Sequence, residues 1–339
     1  MQFAFSTWLV AAGVAVAAAL ASAAILRLLL ATDLAWRLAT DIPNDRSLHT
    51  RPTPRVGGWG IVPVVVLVLL ALAPRMWLVA VAAGWLAVIS QIDDRRGLPA
   101  RVRFLAHLLA VAALVLVDPV AGVAWWWLAV IGFAMTWLIN LYNFMDGANG
   151  LAGGMALFGF SAYAIAALDH PVPVPDLAIA GAAVAGAALG FLLLNFHPAR
   201  LFLGDAGSIP LGFLAGAIGY WGWRGGVWPI WLPAMAFAPF IADASVTLLR
   251  RLLRGEKFWH AHREHYYQRL VRSGLGHGRT AIYWYLVMLA GIVVALWARG
   301  RPEPQQWLSL LVWYSVLACI GLVIDRRWRR FSAHVENKF

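Results

Sequence analysis

A single cysteine in 339 residues cannot form a disulfide within the chain, and Cys319 lies in an apolar run. That removes disulfide scaffolds and argues against thiol redox chemistry. Charge is scarce too: 13% of residues are Asp, Glu, Lys or Arg, against about 25% in soluble proteins. Met1 and Gln2 give the first apolar run no basic leader, so that run is expected to remain as an anchor and not to be cleaved as a signal. Acids are the rarer charges, 16 against 27 Lys plus Arg, a balance of +11. In a soluble protein that excess would suggest nucleic acid; here its distribution along the chain matters more.

Apolar residues are what the chain has in abundance, 62% of the total with a mean hydropathy of +0.72. They form eleven runs with almost no charge. These are Phe3 to Ile25, Gly58 to Ala73, Met76 to Ile92, Phe104 to Val117, Ala121 to Leu141, Leu151 to Leu168, Leu177 to Leu194, Ile209 to Trp223, Val227 to Leu249, Ala281 to Trp297, and Trp307 to Ile324. Several fall short of the roughly 20 residues that a perpendicular membrane helix needs. The expected fold is therefore an all-α polytopic membrane protein with 10 or 11 transmembrane helices. Residues 1–339 form one integral membrane domain, ending in a basic tail at 326–339.

Eleven spans divide the loops into two alternating sets, and 23 of the 27 Lys and Arg fall in one of them. The other set holds Arg75, Arg224, Arg299 and Arg301. The positive-inside rule assigns the basic set to the cytoplasm, the N-terminus to the outside and the C-terminus to the cytoplasm. This accounts for the net charge without nucleic acid, and the tail meets anionic headgroups.

The unusual polar residues share the basic side. In ISQIDDRRGL, Asp93 and Asp94 stand at the C-terminal end of a helix, where the macrodipole is already negative and a cation is needed. Arg95 and Arg96 can supply it as a solvated cluster; a metal or phosphate role is the other reading. In NLYNFMDGANGLAGG, Asn140, Asn143 and Asp146 follow at three-residue steps and form one stripe if the helix reaches Asp146. An ordinary Asn cap and Gly turn is the alternative. In NFHPARLFLGDAGSIPLGF, Ser208 is the expected N-cap of a helix whose positive end suits a phosphate, with Asp205 beside it. Asp205 as the cap itself is the plainer alternative. Four acids on one membrane face need a counter-charge. Hard oxygen donors without clustered Cys or His indicate Mg²⁺ or Mn²⁺, with a diphosphate substrate completing the shell. A charge-dense face on a membrane protein looks like an interfacial enzyme joining a lipid and a soluble substrate.

At these residues the chain resembles the polyprenyl-phosphate N-acetylhexosamine-1-phosphate transferases, the glycosyltransferase family 4 type. The resemblance extends over DIPNDRSLHTRPTPRVGG, the IDD segment, NLYNFMDGANGLAGG, NFHPARLFLGDAGS and a late loop reaching HAHREHYYQRL. It implies a bacterial inner-membrane enzyme with its active site on the cytoplasmic face. There, undecaprenyl phosphate attacks the β-phosphorus of a UDP-N-acetylhexosamine and UMP leaves. Its metal residues carry over to Asp146 and Asp205, its catalytic pair to Asp93 and Asp94, a neighbouring amide to Asn143, and a uridine pocket to Asn195 and Phe202. Arg46, His49 and Arg55 are candidates for the lipid phosphate. Arg263 and His265 are candidates for the diphosphate or sugar, and Arg269 for a further phosphate. Arg250, Arg251 and Arg254 are read as surface anchors. Tyr266, Tyr267 and Gln268 receive no role. Tyr267 and Gln268 stand where better-known members have further histidines, which points away from the peptidoglycan enzyme and towards transferases that start O-antigen or capsule chains.

Three rivals make different demands. A lipid or solute transporter needs charges at the midplane, and Asp243 is the strongest candidate within a span. A scaffold without turnover has no use for an intact carboxylate set. A CDP-alcohol phosphotransferase needs an Asp- and Gly-rich signature of its own, which is not found. The apolar surface leaves a homodimer open.

Overall fold

The computed structural model describes residues 2–43, 47–120, 122–257 and 262–336. It is helical nearly throughout. The helices are α1 (Gln2–Ala31), α2 (Leu34–Leu38), α3 (Gly57–Leu72), α4 (Trp77–Arg96), α5 (Ala100–Val117), α6 (Trp125–Phe144) and α7 (Leu151–Leu168). They continue with α8 (Pro175–Asn195), α9 (Asp205–Arg224), α10 (Leu232–Ala236), α11 (Ala238–Leu253), α12 (Tyr266–Leu270), α13 (Gly276–Arg299) and α14 (Glu303–Glu336). Two-residue strands β1 (Thr40–Asp41) and β2 (Thr53–Pro54) pair antiparallel in the first loop. The protein is an all-α, multi-pass membrane protein.

Among the described residues, eight helical segments are long and apolar enough to cross a membrane. The helices α3, α9 and α11 occupy three other expected runs. Both α3 and α11 have 16 residues, while the 20 residues of α9 open on the polar turn Asp205 to Ser208. The expected run Val227 to Leu249 is not one helix. Pro233 and Pro239 each sit in a first turn, where proline is tolerated, and divide the run into α10 and α11.

Small residues let the centre close up. Helix α8 is almost wholly buried and packs on α1, α3 and α7. A Cβ on its Gly181 would stand 2.7 Å from Ala164 N, and one on Gly186 or Gly190 would strike the carbonyls of Ala15 or Ala19. Its Ala and Gly residues therefore set helix approach, which in lipid depends on van der Waals packing.

Alternation of the helices brings the loops after α1, α4, α6, α8 and α11 to one end. The opposite end pairs three of its four Arg residues with acids locally. There Arg224 meets Asp118 at 3.1 Å, Arg299 meets Asp169 at 2.5 Å and Arg75 lies 4.0 Å from Asp176.

Candidate active site at the junction of two cavities

Backbone pairing fixes the first element of the site. Arg55 and Phe202 form a parallel bridge between the first loop and the α8–α9 loop. Phe202 N–H donates to Pro54 O at 2.7 Å, Gly57 N–H to Phe202 O at 2.8 Å, and Gly58 N–H to Leu203 O at 3.0 Å. Glycine is required here by contact: a Cβ on Gly57 would lie 2.8 Å from Leu203 Cα, and one on Gly58 would overlap the Ala206 carbonyl. Gly204, at φ 73, turns the chain into α9 and makes Asp205 its first residue.

Arg55 consequently projects among the acids. Its guanidinium donates to Asp205 Oδ1 at 3.1 Å and lies 3.7 Å from Asp94 Oδ1. Asn143 Nδ2 donates to the same Asp205 oxygen at 3.1 Å and lies 2.9 Å from Ser208 Oγ. Burial opposes the Arg55 charge, but Asp205, Asp94, Asp41 and Asp146 outweigh it and raise the guanidinium pKa. Burial drives the Asp146 carboxyl well above the usual carboxylate range. Asp205 pushes the same way, against Arg55 and the Gly204 N–H.

Neighbouring Asp93 and Asp94 have different surroundings. Asp93 Oδ1 accepts Leu98 N–H at 2.6 Å and its Oδ2 accepts Arg103 Nη1 at 3.0 Å, so it braces the α4–α5 corner. Asp94 turns to Arg55, and its Oδ2 is buried without a hydrogen-bond partner.

Two cavities of opposite character meet here. One, of about 360 Å³, is polar and is lined by Asp41, His49, Arg55, Asp146, Asn149, Tyr267, Gln268 and His277, among others. The other is an apolar groove of about 1030 Å³ along α5 and α6, from Arg101 and Arg103 to Leu116 and Trp125. Phe144 borders both, Asp205 and Asn143 border the groove, and Arg55 and Asp146 border the polar cavity.

A family model described as glycosyl transferase family 4 matches residues 76–222. The chain is 28% identical to a probable undecaprenyl-phosphate N-acetylglucosaminyl 1-phosphate transferase of Bacillus subtilis, over 89% of each chain. It is 31% identical to a decaprenyl-phosphate N-acetylglucosaminephosphotransferase of Mycobacterium tuberculosis, over 86% of this chain and 84% of that protein. The chain belongs to the polyprenyl-phosphate N-acetylhexosamine-1-phosphate transferase family. An undecaprenyl-phosphate alpha-N-acetylglucosaminyl 1-phosphate transferase of Yersinia pestis is 26% identical over 85% of each chain.

The transferase brings together most of the residues singled out from its sequence, though not in one stripe. Helix α6 ends at Phe144, short of Asp146, so Asn140 and Asn143 face the groove while Asp146 faces the polar cavity. Ser208 is not a cap: α9 starts three residues earlier, and Ser208 is buried against Asn143. Asn195 and Phe202 line the polar cavity. Asn195 spends its amide on Gly150 N–H at 2.8 Å and Leu201 O at 2.9 Å, joining two loops, while Phe202 meets the His49 ring edge-on at 4.8 Å. Arg46 lies outside the described residues.

The late loop differs most from expectation. His265 is 3% exposed, its Nδ1 lies 3.3 Å from Asp243 Oδ1, and it is not among the cavity-lining residues. Asp243 is committed to structural contacts. It accepts the N–H groups of Tyr266 at 2.9 Å and Tyr267 at 3.0 Å and so anchors α12. Arg263 does not line the cavity, and Arg269 pairs with Asp325 at 2.6 Å and packs over Tyr266. Tyr267 and Gln268, which the sequence left without a role, do line it. So does His277, whose Nδ1 accepts Asn149 N–H at 3.3 Å and whose Nε2 lies 3.1 Å from Leu48 O. No sequence signal marked His277, because its partners come from loops far apart in the chain.

Among the described residues, no three His, Cys, Asp or Glu side chains lie close enough together to hold a metal. The oxygen donors gathered here are the Asp205 carboxylate and the Ser208 hydroxyl, both contacted by the Asn143 amide N–H₂, and Asp94 with its Oδ2 unpartnered. That chemistry fits a hard divalent cation better than a soft one.

Proposed function

We propose that this protein transfers an N-acetylhexosamine-1-phosphate from a UDP-sugar to undecaprenyl phosphate, releasing UMP and starting a lipid-linked surface glycan such as O-antigen. The observation that carries the proposal is the meeting of a polar cavity and an apolar, membrane-depth groove at Phe144, beside Arg55 and Asp205. Because the relatives are N-acetylglucosamine 1-phosphate transferases by name, N-acetylglucosamine is the first sugar to test.

The prenyl chain takes the groove and the nucleotide sugar takes the polar cavity. A lipid phosphate, with a second pKa of about 6, is largely ionised at neutral pH. Its oxygen forms a bond to the β-phosphorus, the bridging bond to the α-phosphate breaks, UMP carries away the electron pair, and the anomeric C–O bond stays intact. Arg55 offers fixed positive charge to the diphosphate. Asn143 orients Asp205, and Asp94 holds Arg55 from the other side. We include Mg²⁺ or Mn²⁺, held by Asp146 and Asp205, as the source of the remaining positive charge on the phosphates.

The basic end of the molecule, with 23 of 27 Lys and Arg, supports a cytoplasmic site in the bacterial inner membrane. The N-terminus is then periplasmic and the C-terminus cytoplasmic. The test is UMP release from a panel of UDP-sugars with polyprenyl phosphate in detergent, with and without EDTA. Release that depends on the lipid and is lost with EDTA and in Asp205→Ala is expected. No lipid-linked sugar from any donor would refute the transfer, and full activity in EDTA would refute the metal.

A further inference from the structure

The apolar groove is lined by a buried titratable side chain that the proposed transfer does not use. His107, on α5, is 6% exposed and lines the groove. Its Nδ1 is buried without a hydrogen-bond partner. A histidine placed only for packing would normally have its polar atoms satisfied.

Arg103 lies four residues earlier, on the same face of α5, and also lines the groove. Its Nη1 is held by Asp93 Oδ2 at 3.0 Å, while Asp93 Oδ1 is fixed by Leu98 N–H at 2.6 Å. The carboxylate thus aims the guanidinium and leaves its other N–H groups free for a ligand. Arg103 stands in the first turn of α5 and His107 one turn further along the same face. Beyond them the groove wall is hydrocarbon: Leu108, Val111, Val115 and Leu116. From Ala100 to Leu116 the helix rises about 24 Å, close to the depth of a bilayer core.

We propose that Arg103 and His107 are the seat of the acceptor phosphate, and that Asp93 is a positioning residue for Arg103. This rests on the groove being the acceptor-lipid site of the proposed transfer. The phosphate at the head of a prenyl chain lying in the groove accepts one N–H from the imidazole and one or more from the guanidinium.

The experiment compares wild type with His107→Phe, His107→Gln and Asp93→Asn in detergent, using polyprenyl phosphate and a UDP-sugar. Replacing the imidazole by a ring without N–H should raise KM for polyprenyl phosphate about tenfold and leave KM for the nucleotide sugar unchanged. His107→Gln, which restores a donor, should recover most of the loss, and Asp93→Asn should show the same split with a smaller rise. A second readout needs no turnover: retention of polyprenyl phosphate against the matching polyprenol. Wild type should prefer the phosphate, and His107→Phe should lose most of that preference. An unchanged preference in His107→Phe, or an equal change in both KM values, would overturn the proposal while the transfer stands. If His107→Phe does not fold, a His107→Gln enzyme with a reduced phosphate preference and both KM values shifted equally also overturns it. Wild type that neither turns over nor prefers phosphate to alcohol would remove the underlying transfer itself.

Discussion

Replacing Asp243 by asparagine should loosen the loop that walls the polar cavity. Asp243 Oδ1 accepts Tyr266 N–H at 2.9 Å, and its Oδ2 accepts Tyr267 N–H at 3.0 Å. Thr247 Oγ1 and His265 Nδ1 lie 3.3 Å from Oδ1. Asparagine keeps one acceptor and presents an NH₂ group where the other backbone N–H already points. One charge-assisted hydrogen bond is lost and one buried donor is left unsatisfied, together costing about 3 kcal/mol. Local opening should then become roughly a hundredfold more frequent. Hydrogen exchange of the Tyr266 and Tyr267 amides reads this directly. In turnover, KM for the nucleotide sugar should rise and KM for the lipid phosphate should not, because Tyr267 and Gln268 line only the polar cavity. Exchange rates within threefold of wild type would refute the anchoring role. Loss of an ion-coupled transport activity with the loop still protected would revive the transporter.

Gly58→Ala should cost about 1–3 kcal/mol and slow turnover, because its methyl group meets the Ala206 backbone, which cannot yield without moving Asp205 away from Arg55; thermal unfolding in detergent and initial rates check this. Asn195→Ala should destabilise the protein by about 3 kcal/mol by leaving Gly150 N–H and Leu201 O buried without partners, read as a lowered unfolding midpoint. Burial, then His265 and Arg251, lower the His262 pKa to about 4. A histidine near 6.5 when unfolded and about 4 when folded binds its proton more readily in the opened loop. Its contribution is therefore complete above about pH 6.5 and is lost as pH falls towards 4. Limited proteolysis of the late loop against pH should show that decline, and His262→Gln should flatten it.

The class of the protein and the side on which its chemistry gathers follow from local facts. Apolar runs of membrane length and a one-sided Arg distribution are properties of short windows, so composition suffices to read them. The same holds for Asp205: a Gly-Asp-Ala-Gly-Ser turn before an apolar run announces a helix start facing the loops, although the cap falls on Gly204 and not on Ser208. Local chemistry also reached its limit there. Asp93 and Asp94 are indistinguishable as adjacent letters, yet one braces a corner and the other faces Arg55, because successive residues on a helix point about 100° apart.

The late loop was the least readable part. His265 and Asp243 each carry a charge-bearing or titratable group and attracted functional readings, while Tyr267 and Gln268 attracted none. Burial reversed those weights: the pair His265 and Asp243 secures α12, and the neighbours it holds form the cavity wall. Which side of a five-residue helix faces a cavity is set by the helices packed around it. Thus the sequence alone determined a multi-pass helical membrane protein with most of its acids and most of its cations at one end. Only the tertiary structure decided which acids meet, through Arg55 held opposite Asp205 by backbone pairing across 150 residues of chain. Contacts at that separation depend on how whole helices pack, and no window of neighbouring residues encodes them.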